Sequence, residues 1–319
     1  MRRDLKVRSL LLGGSLAAIF VAFFLFVRPW YLRWGATDDE IRRPLPGDEI
    51  IPEATRQETR AITILAPVDL VWPWLAQLGQ DRGGFYSYDL LENLVGCEMP
   101  TEDHLQPDRQ LWQLGEKLWM YPPHKAGGMG FATLHTYLPG RALGFATRST
   151  GTALTAPEDG SWSFVLEPQG AATTRLLIRG RGAAGRSLLG VGFDRSIFEP
   201  MHFVMERRMM IGLKHLVEGG DRGRVSNHVQ VVLWTITFAL FITAIVKVVR
   251  GVVASGRATA ALITAAAVFQ LLTFAQPPLG IGLVLTVVVA AILWWPRQRR
   301  DTLLAREPTG RPPEPLAVR

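Results

Sequence analysis

The chain has 319 residues, of which 48% are hydrophobic and 20% charged, with a mean hydropathy of +0.15 and a formal net charge of +7. This composition is too apolar for an ordinary soluble domain. Three short segments, 1–8, 247–257 and 297–319, each carry a net charge of +3, so the rest of the chain is close to neutral. The high pI therefore reflects these segments and does not indicate nucleic-acid binding.

The excess of apolar residues lies in segments without charge. A helix rises about 1.5 Å per residue, so roughly 20 apolar residues cross a hydrocarbon core of about 30 Å. We predict four transmembrane helices, the last two separated by a proline-containing break, at residues 9–27, 229–249, 258–275 and 280–296. The first could instead be a cleaved signal peptide, but it lacks a small-x-small cleavage site, which favours an anchor.

The three basic segments fall on one side of a four-helix topology, and the positive-inside rule makes that side cytoplasmic. The protein is therefore expected in the cell membrane as a multi-pass protein, with both termini cytoplasmic and the large central region extracytoplasmic. The predicted organisation is an anchor (1–29), a proline-rich extended linker (30–55), a folded domain (56–218), a second linker (219–228), three transmembrane helices (229–296) and a basic disordered tail (297–319).

The central domain opens with a strand and a helix. In the run Arg60-Ala61-Ile62-Thr63-Ile64, Ile62 and Ile64 lie on one face, which predicts a strand with one buried side. Pro67 suits the first turn of the following helix, where a missing N–H costs nothing, and Gly79 is placed to end that helix.

Residues 81–89 form an unusual loop, in which a diglycine is followed by Phe85, Tyr86 and Tyr88. These aromatic residues either plug one end of a core or act as a mobile lid over a ligand cavity. Ser87 is predicted to cap a short helix, with Asp89 in its first turn.

Strand-like runs then recur between turn signals, which predicts an antiparallel meander. The runs are residues 117–121, 130–137, 142–148, 161–167 and 173–181. Leu143 and Phe145 share one strand face, as do Trp162 and Phe164. Three arginines share a face of the last strand and are expected to meet solvent: Arg175, Arg179 and Arg181.

A closing amphipathic helix is predicted over residues 198–217. Met201, Met205 and Met209 lie on its apolar stripe, either as ordinary core or as an adaptable ligand-contacting surface. Four charged residues are expected to point away from that stripe: Glu206, Arg207, Arg208 and Lys214.

Several of these features together resemble a known superfamily. The carriers are Ala66-Pro67, the string VWPWL at 71–75, and above all GQDRGGFYSYD at 79–89 followed by LENL at 91–94. Residues 56–218 resemble the SRPBCC superfamily (the START, Bet v 1 and polyketide cyclase group), and the second string resembles its membrane-anchored actinobacterial members. The resemblance implies an α+β helix-grip fold, a curved antiparallel sheet wrapped on a long C-terminal helix over a hydrophobic cavity. It implies no universal catalytic residue.

The leading hypothesis is a membrane-tethered domain that binds a lipid or other hydrophobic small molecule without catalysis. The predicted ligand-contacting residues are Phe85, Tyr86, Tyr88, Leu143, Phe145, Trp162, Phe164, Met201, Met205 and Met209. The histidines and the single Cys97 show no ligand spacing, so neither a metal nor another cofactor is expected.

Two other hypotheses remain open. One is an enzyme of the cyclase or dehydratase kind, with acid or base candidates Asp81, Asp89, Glu92 and His104 at the cavity mouth. The other is a protein-interaction or sensor module that signals through the membrane helices.

Overall fold

The computed structural model describes residues 2–100, 102–125, 127, 130–147, 160–182, 187–221, 223–250 and 255–294. Within them, six strands form one open antiparallel sheet in the order β1-β6-β5-β4-β3-β2. The strands are β1 (Arg56–Ile64), β2 (Lys117–Trp119), β3 (Phe131–Leu138), β4 (Ala142–Thr147), β5 (Gly160–Pro168) and β6 (Thr174–Gly182). The predicted meander is confirmed, with β1 added beside its last strand. The predicted strand residue 148 lies outside the described residues.

Helices surround this sheet and extend from it. They are α1 (Arg2–Ala22), α2 (Arg28–Leu32), α3 (Asp38–Arg42), α4 (Val68–Ala76), α5 (Asp89–Leu94), α6 (Leu188–Phe193), α7 (Glu199–Val217), α8 (Arg224–Arg250), α9 (Ser255–Gln270) and α10 (Leu279–Trp294). Three π-helical turns, Phe23–Val27, Asp194–Phe198 and Leu271–Ala275, join α1 to α2, join α6 to α7 and extend α9.

The main core lies between one face of the sheet, here called the inner face, and helices α4 and α7. In β4 and β5, alternate residues reach this face because strand side chains alternate with a period of two. Leu143 pairs with Phe164, and Phe145 with Trp162. Helix α7 contributes Met209 to the same core, so the predicted amphipathic helix does close over the sheet.

The opposite, outer face of the sheet is covered by the segment that precedes β1. Residues 30–55 were predicted as an extended linker, but they contain α3 and a 3-10 turn at Asp48–Ile50. Leu45 of this segment is 5% exposed and packs on Val165 and Leu177. The apolar residues of the outer face need such a cover. The prolines of the covering segment indicated an extended linker, so the sequence pattern of the segment alone did not predict this packing.

The same cover buries an arginine of the outer face. Arg179 is 2% exposed and donates to Asp48 Oδ2 at 2.7 Å and to the carbonyl oxygen of Arg43 at 3.0 Å. Arg175 pairs with Glu40 at 2.7 Å. The prediction that these arginines face solvent is therefore wrong for Arg179, because Glu40 and Asp48 of the covering segment supply partners for them.

Within the described residues, two helices are long and apolar enough to cross a membrane, Ser9–Leu32 and Arg224–Arg250. The first lies near the N-terminus, where a signal sequence meets the same criterion. The remaining predicted spans are shorter apolar helices, Thr259–Ala275 and Leu279–Trp294. The described parts of these two helices hold 17 and 16 residues, or about 26 and 24 Å, against a hydrocarbon core of about 30 Å. Two long apolar helices are thus found where four spans were predicted, and residues 297–319 lie outside the described residues.

Candidate ligand-binding site

Seven of the ten predicted ligand-contacting residues meet between the sheet and α7. They are Phe85, Tyr86, Leu143, Phe145, Trp162, Phe164 and Met209. None is more than 8% exposed. The rings of Trp162 and Phe164 lie 4.6 Å apart and those of Phe145 and Phe164 6.1 Å apart. These side chains form a filled apolar layer, at the place where the resemblance implies a cavity.

Tyr86 is fixed in this core. Its side chain is fully buried, and its hydroxyl donates to the carbonyl oxygen of Trp74 at 3.1 Å. Its backbone has a φ of 55°, a conformation that L residues seldom adopt. Gly212 of α7 lies so close that an added Cβ would be 2.2 Å from the Tyr86 carbonyl oxygen. In this structure Tyr86 is part of the packed core.

Tyr88 turns away from the inner layer and contacts α8. Its hydroxyl donates to Gln230 Oε1 at 2.7 Å, and its ring lies 4.9 Å from that of Trp234. Ser87 was predicted to cap α5, but its hydroxyl donates to the carbonyl oxygen of Met205 in α7 at 2.9 Å. The Ser87 hydroxyl bonds to α7 instead of capping α5, because the loop crosses α7.

The three methionines of α7 have three different environments. Met209 belongs to the inner layer, Met205 packs at the junction with the N-terminal helix, and Met201 is 63% exposed. Residues four apart are offset by about 40° around a helix of 3.6 residues per turn, so the three span about 80°. The predicted stripe therefore does not face one ligand site as a whole.

A row of rings connects the inner layer to the protein surface. Phe85 lies 6.2 Å from Trp162, and Trp162 lies 5.5 Å from His202. His202 stacks on Phe198 at 5.6 Å. Exposure rises along this row, from 8% at Trp162 to 46% at Phe198. The apolar layer thus reaches solvent at the N-terminal end of α7.

A buried ion pair lies beside this row. Arg60 of β1 donates to Glu206 of α7 at 2.6 Å, and both side chains are 1% exposed. Trp162 Nε1 donates to the second carboxylate oxygen of Glu206 at 2.7 Å, and Arg60 Nε donates to the Tyr31 carbonyl oxygen at 3.0 Å. Burial alone would raise the pKa of Glu206, but the charge of Arg60 holds it below its usual value. Glu206 is therefore an anion with its hydrogen-bonding capacity in use.

Two further titratable groups border this pair. Burial raises the pKa of Glu58, although Arg60 and Arg56 act in the opposite direction. Burial lowers the pKa of His202 to about 4, although the nearby Glu206 carboxylate opposes this. His202 is consequently neutral at pH 7.

The low pKa of His202 predicts how the stability of the folded protein depends on pH. Because this pKa lies below the value of about 6.5 for an unfolded histidine, the folded state binds fewer protons. The free energy that this pKa difference adds to the stability of the folded state is fully present above pH 6.5 and is lost as the pH falls toward 4. With 28% of the side chain still exposed, we expect a loss of about 2 kcal/mol. The measurement is the free energy of unfolding of wild type and of His202→Phe, each at pH 7 and at pH 4. Between these two pH values the wild type should lose about 2 kcal/mol more than His202→Phe.

The exposed His215 of the same helix provides the control, because His215→Phe should leave the wild-type pH dependence intact. Equal pH dependence in wild type and His202→Phe would contradict the prediction.

Of the four predicted acid and base residues, two are exposed and two lie together in α5. Asp81 and His104 are exposed, and His104 lies 3.4 Å from Glu102. Asp89, which is buried, and Glu92 both lie in the first turn of α5. Among the described residues, no group of three or more His, Cys, Asp or Glu side chains is arranged to hold a metal ion.

Sequence reasoning missed the ionic residues at the end of the core. Glu206 and Arg208 were predicted to point away from the packed stripe, but they are 3% and 5% exposed, so that prediction is wrong for both. A signal was present in β1, since Glu58 and Arg60 continue the alternation of Ile62 and Ile64 on the inner face. A cation on a buried strand face requires an anion opposite, and α7 supplies it.

The described residues define an α+β protein built on an open six-stranded antiparallel sheet, with two long apolar helices. No family model and no curated protein matches the chain. A crystal structure of a Mesorhizobium loti protein, a structural-genomics target, matches with a TM-score of 0.30 and 16% identity, covering 52% of this chain and 99% of that one. A likeness this distant assigns neither a family nor a function.

Proposed function

We propose that this protein is a membrane-tethered, non-enzymatic domain of the helix-grip type, which binds a lipid or another hydrophobic small molecule between its sheet and α7. The long apolar helices Ser9–Leu32 and Arg224–Arg250 would anchor it. The shorter apolar helices after α8 would complete the membrane part. The basic flanks place the domain on the extracytoplasmic side in this proposal, which a reporter fused after Arg224 tests.

The observation that carries the proposal is the row of rings from the inner layer to the surface. An apolar interior that reaches the surface through Trp162, His202 and Phe198 gives a hydrophobic molecule an apolar route inward. The groups along the route are neutral or paired, since His202 is uncharged at pH 7 and Glu206 is bound to Arg60. An apolar guest therefore meets no unpaired charge on this route.

Ligand binding then requires movement of part of the inner layer. Sites for small molecules occupy about 300–1,000 Å³, and the layer is filled by side chains. Phe85 follows the diglycine 83–84 and contacts the apolar route, whereas Tyr86 is held by Trp74 and Gly212. Trp162 is likewise held, by Glu206, so Phe85 is the side chain proposed to open the site.

The proposal is tested with the full-length protein and a fatty acid that carries a diazirine group. Photolabelling should reach Trp162 and Phe164 of β5 in addition to the apolar helices. Val165 is the matched control, because it lies on the same strand but faces the covered outer side of the sheet. Native mass spectrometry of the same preparation should show a bound lipid or quinone.

Labelling confined to Ser9–Leu32 and Arg224–Arg250, with no bound small molecule across a panel of lipids and quinones, would contradict ligand binding in the domain.

A second candidate, a sensor or interaction module, is favoured by the contact between the domain and the apolar helices. Tyr31, Phe203 and Phe274 form a stack with ring centroids 5.3 to 6.2 Å apart. Tyr88 adds its hydrogen bond to Gln230 of α8. Such contacts would transmit a rearrangement of the domain to the helices. Crosslinking in membranes that yields monomers alone, with and without ligand, would count against this candidate.

A further inference from the structure

An exposed apolar stripe runs along α6, the following π-helical turn and the first turn of α7. Its members are Leu188 (93% exposed), Leu189 (87%), Phe193 (56%), Ile197 (47%), Phe198 (46%) and Met201 (63%). Leu189, Phe193, Ile197 and Met201 recur every four residues, which keeps them on one side of a helix, and Phe198 lies next to Ile197. Soluble proteins seldom leave such a continuous apolar surface without a partner. We call these six residues the apolar stripe.

The apolar stripe lies beside the end of the N-terminal apolar helix. Glu199 of α7 accepts two hydrogen bonds from Arg28, at 2.9 and 3.0 Å. Trp30 meets Phe203 of α7 with ring centroids 5.6 Å apart. Because Arg28 and Trp30 belong to the last turns of Ser9–Leu32, these contacts fix the height of the stripe relative to that helix.

Cationic groups accompany the apolar stripe at this height. A pocket of about 230 Å³ separates α6 from the end of the N-terminal helix, and its lining includes three arginines, Arg28, Arg56 and Arg195, and two acidic residues, Asp194 and Glu199. Glu199 engages Arg28, while Arg195 lies within the segment that carries the stripe. An apolar face bordered by arginines is the pattern of helices that lie in a membrane interface, with lipid phosphates beside the cations.

We propose that the segment from α6 to the first turn of α7 is an interfacial element that lies along the bilayer surface, with the apolar stripe immersed at the boundary between headgroups and acyl chains. This rests on the proposed membrane anchoring. The N-terminal helix holds the stripe at the level where that helix leaves the bilayer, so lipid is the apolar phase within its reach. Phe198 belongs both to the stripe and to the row of rings, so the route to the inner layer opens toward lipid.

The experiment uses the full-length protein in liposomes of phosphatidylcholine and phosphatidylglycerol. In a Cys97→Ser background, which removes the single native cysteine, a nitroxide is attached at Leu189→Cys, Phe193→Cys or Ile197→Cys. Power-saturation spectroscopy compares collisions with oxygen, which concentrates in lipid, and with a water-soluble nickel chelate. Two reference sites are Leu25→Cys in the N-terminal helix and Leu111→Cys in a loop, 62% and 75% exposed.

The three stripe positions should resemble Leu25→Cys, with an oxygen-to-nickel collision ratio several-fold above that of Leu111→Cys. Ratios equal to that of Leu111→Cys, while Leu25→Cys remains in lipid, would overturn the interfacial element and leave the anchoring standing. Protection from both reagents would mean that protein covers the stripe, which also overturns the inference. Water access at Leu25→Cys as well would overturn the anchoring itself.

Discussion

Replacing Glu206 by glutamine is expected to destabilise the sheet domain by about 3–5 kcal/mol, which is the usual cost of breaking a buried ion pair. The substitution leaves the guanidinium of Arg60, 1% exposed, without a counter-charge. Glutamine keeps the size of the side chain and an acceptor for Trp162 Nε1, so the loss reports the charge and not a cavity. Unfolding of the full-length protein in detergent, followed by near-ultraviolet circular dichroism, measures it.

A second substitution distinguishes the stability contributed by the ion pair from the cost of leaving one buried charge unpaired. Adding Arg60→Met to Glu206→Gln removes the unpaired cation and should restore most of the lost stability, since apolar replacement of buried ion pairs is often nearly neutral. The exposed pair between Arg224 and Asp103, at 2.7 Å, gives the matched control. Asp103→Asn should cost less than about 1 kcal/mol. If Glu206→Gln costs no more than Asp103→Asn, the buried pair is not a stabilising element.

Replacing Gly212 by alanine is expected to cost about 2–3 kcal/mol, at the upper end of typical overpacking. The added Cβ would lie 2.2 Å from the Tyr86 carbonyl oxygen and 3.2 Å from the Tyr86 Cβ. Neither α7 nor the loop yields easily, because Tyr86 is anchored to Trp74 and Ser87 to Met205. Chemical unfolding gives the cost, and hydrogen exchange of residues 81–89 shows whether the loop detaches from α7.

Gly192 is the control for Gly212. It also lies in a helix, α6, but an added Cβ there has nothing within 4 Å. Gly192→Ala should therefore stabilise by about 0.5–1 kcal/mol through the helix preference of alanine. If Gly212→Ala is tolerated as well as Gly192→Ala, Tyr86 moves away from α7 at little cost, and the loop is a lid at this residue after all.

The aromatic residues of the 81–89 loop do not share one role, either as a plug of the core or as a mobile lid. Tyr86 is held in the core and Tyr88 is held against α8, so these two fix the loop in place. Phe85 contacts the row of rings through Trp162. The sequence placed all three aromatic residues beside a core, but their spacing could not indicate which helix each would meet.

Local patterns predicted the elements that depend on neighbouring residues. Alternation in β4 and β5 identified Leu143, Phe145, Trp162 and Phe164 as one buried face, and the structure confirms it. Period-two alternation is a property of the strand itself, so no knowledge of the partner is required. The Met-containing helix was predicted from the spacing of its apolar residues, which is also a local pattern, although the different environments of its methionines were not predicted.

The residues that escaped prediction have partners far away in the chain. Arg60 and Glu206 are 146 positions apart, and Arg179 and Asp48 are 131 apart. Each residue looks solvent-exposed when taken alone, because isolated charges are normally excluded from a core. Only the approach of β1 to α7, and of the preceding segment to the outer face, makes their burial acceptable.

The sequence by itself determined that this chain combines an antiparallel sheet, a closing amphipathic helix and long apolar helices, since each of these is encoded in the periodicity of a continuous stretch. The tertiary structure decided that the inner layer is filled, that Tyr86 is fixed, and that an ion pair seals the end of the core. It also decided that α6 leaves Leu188 and Leu189 exposed. Burial and exposure depend on which surfaces meet, and the hydrophobic pattern of one segment does not specify its partner.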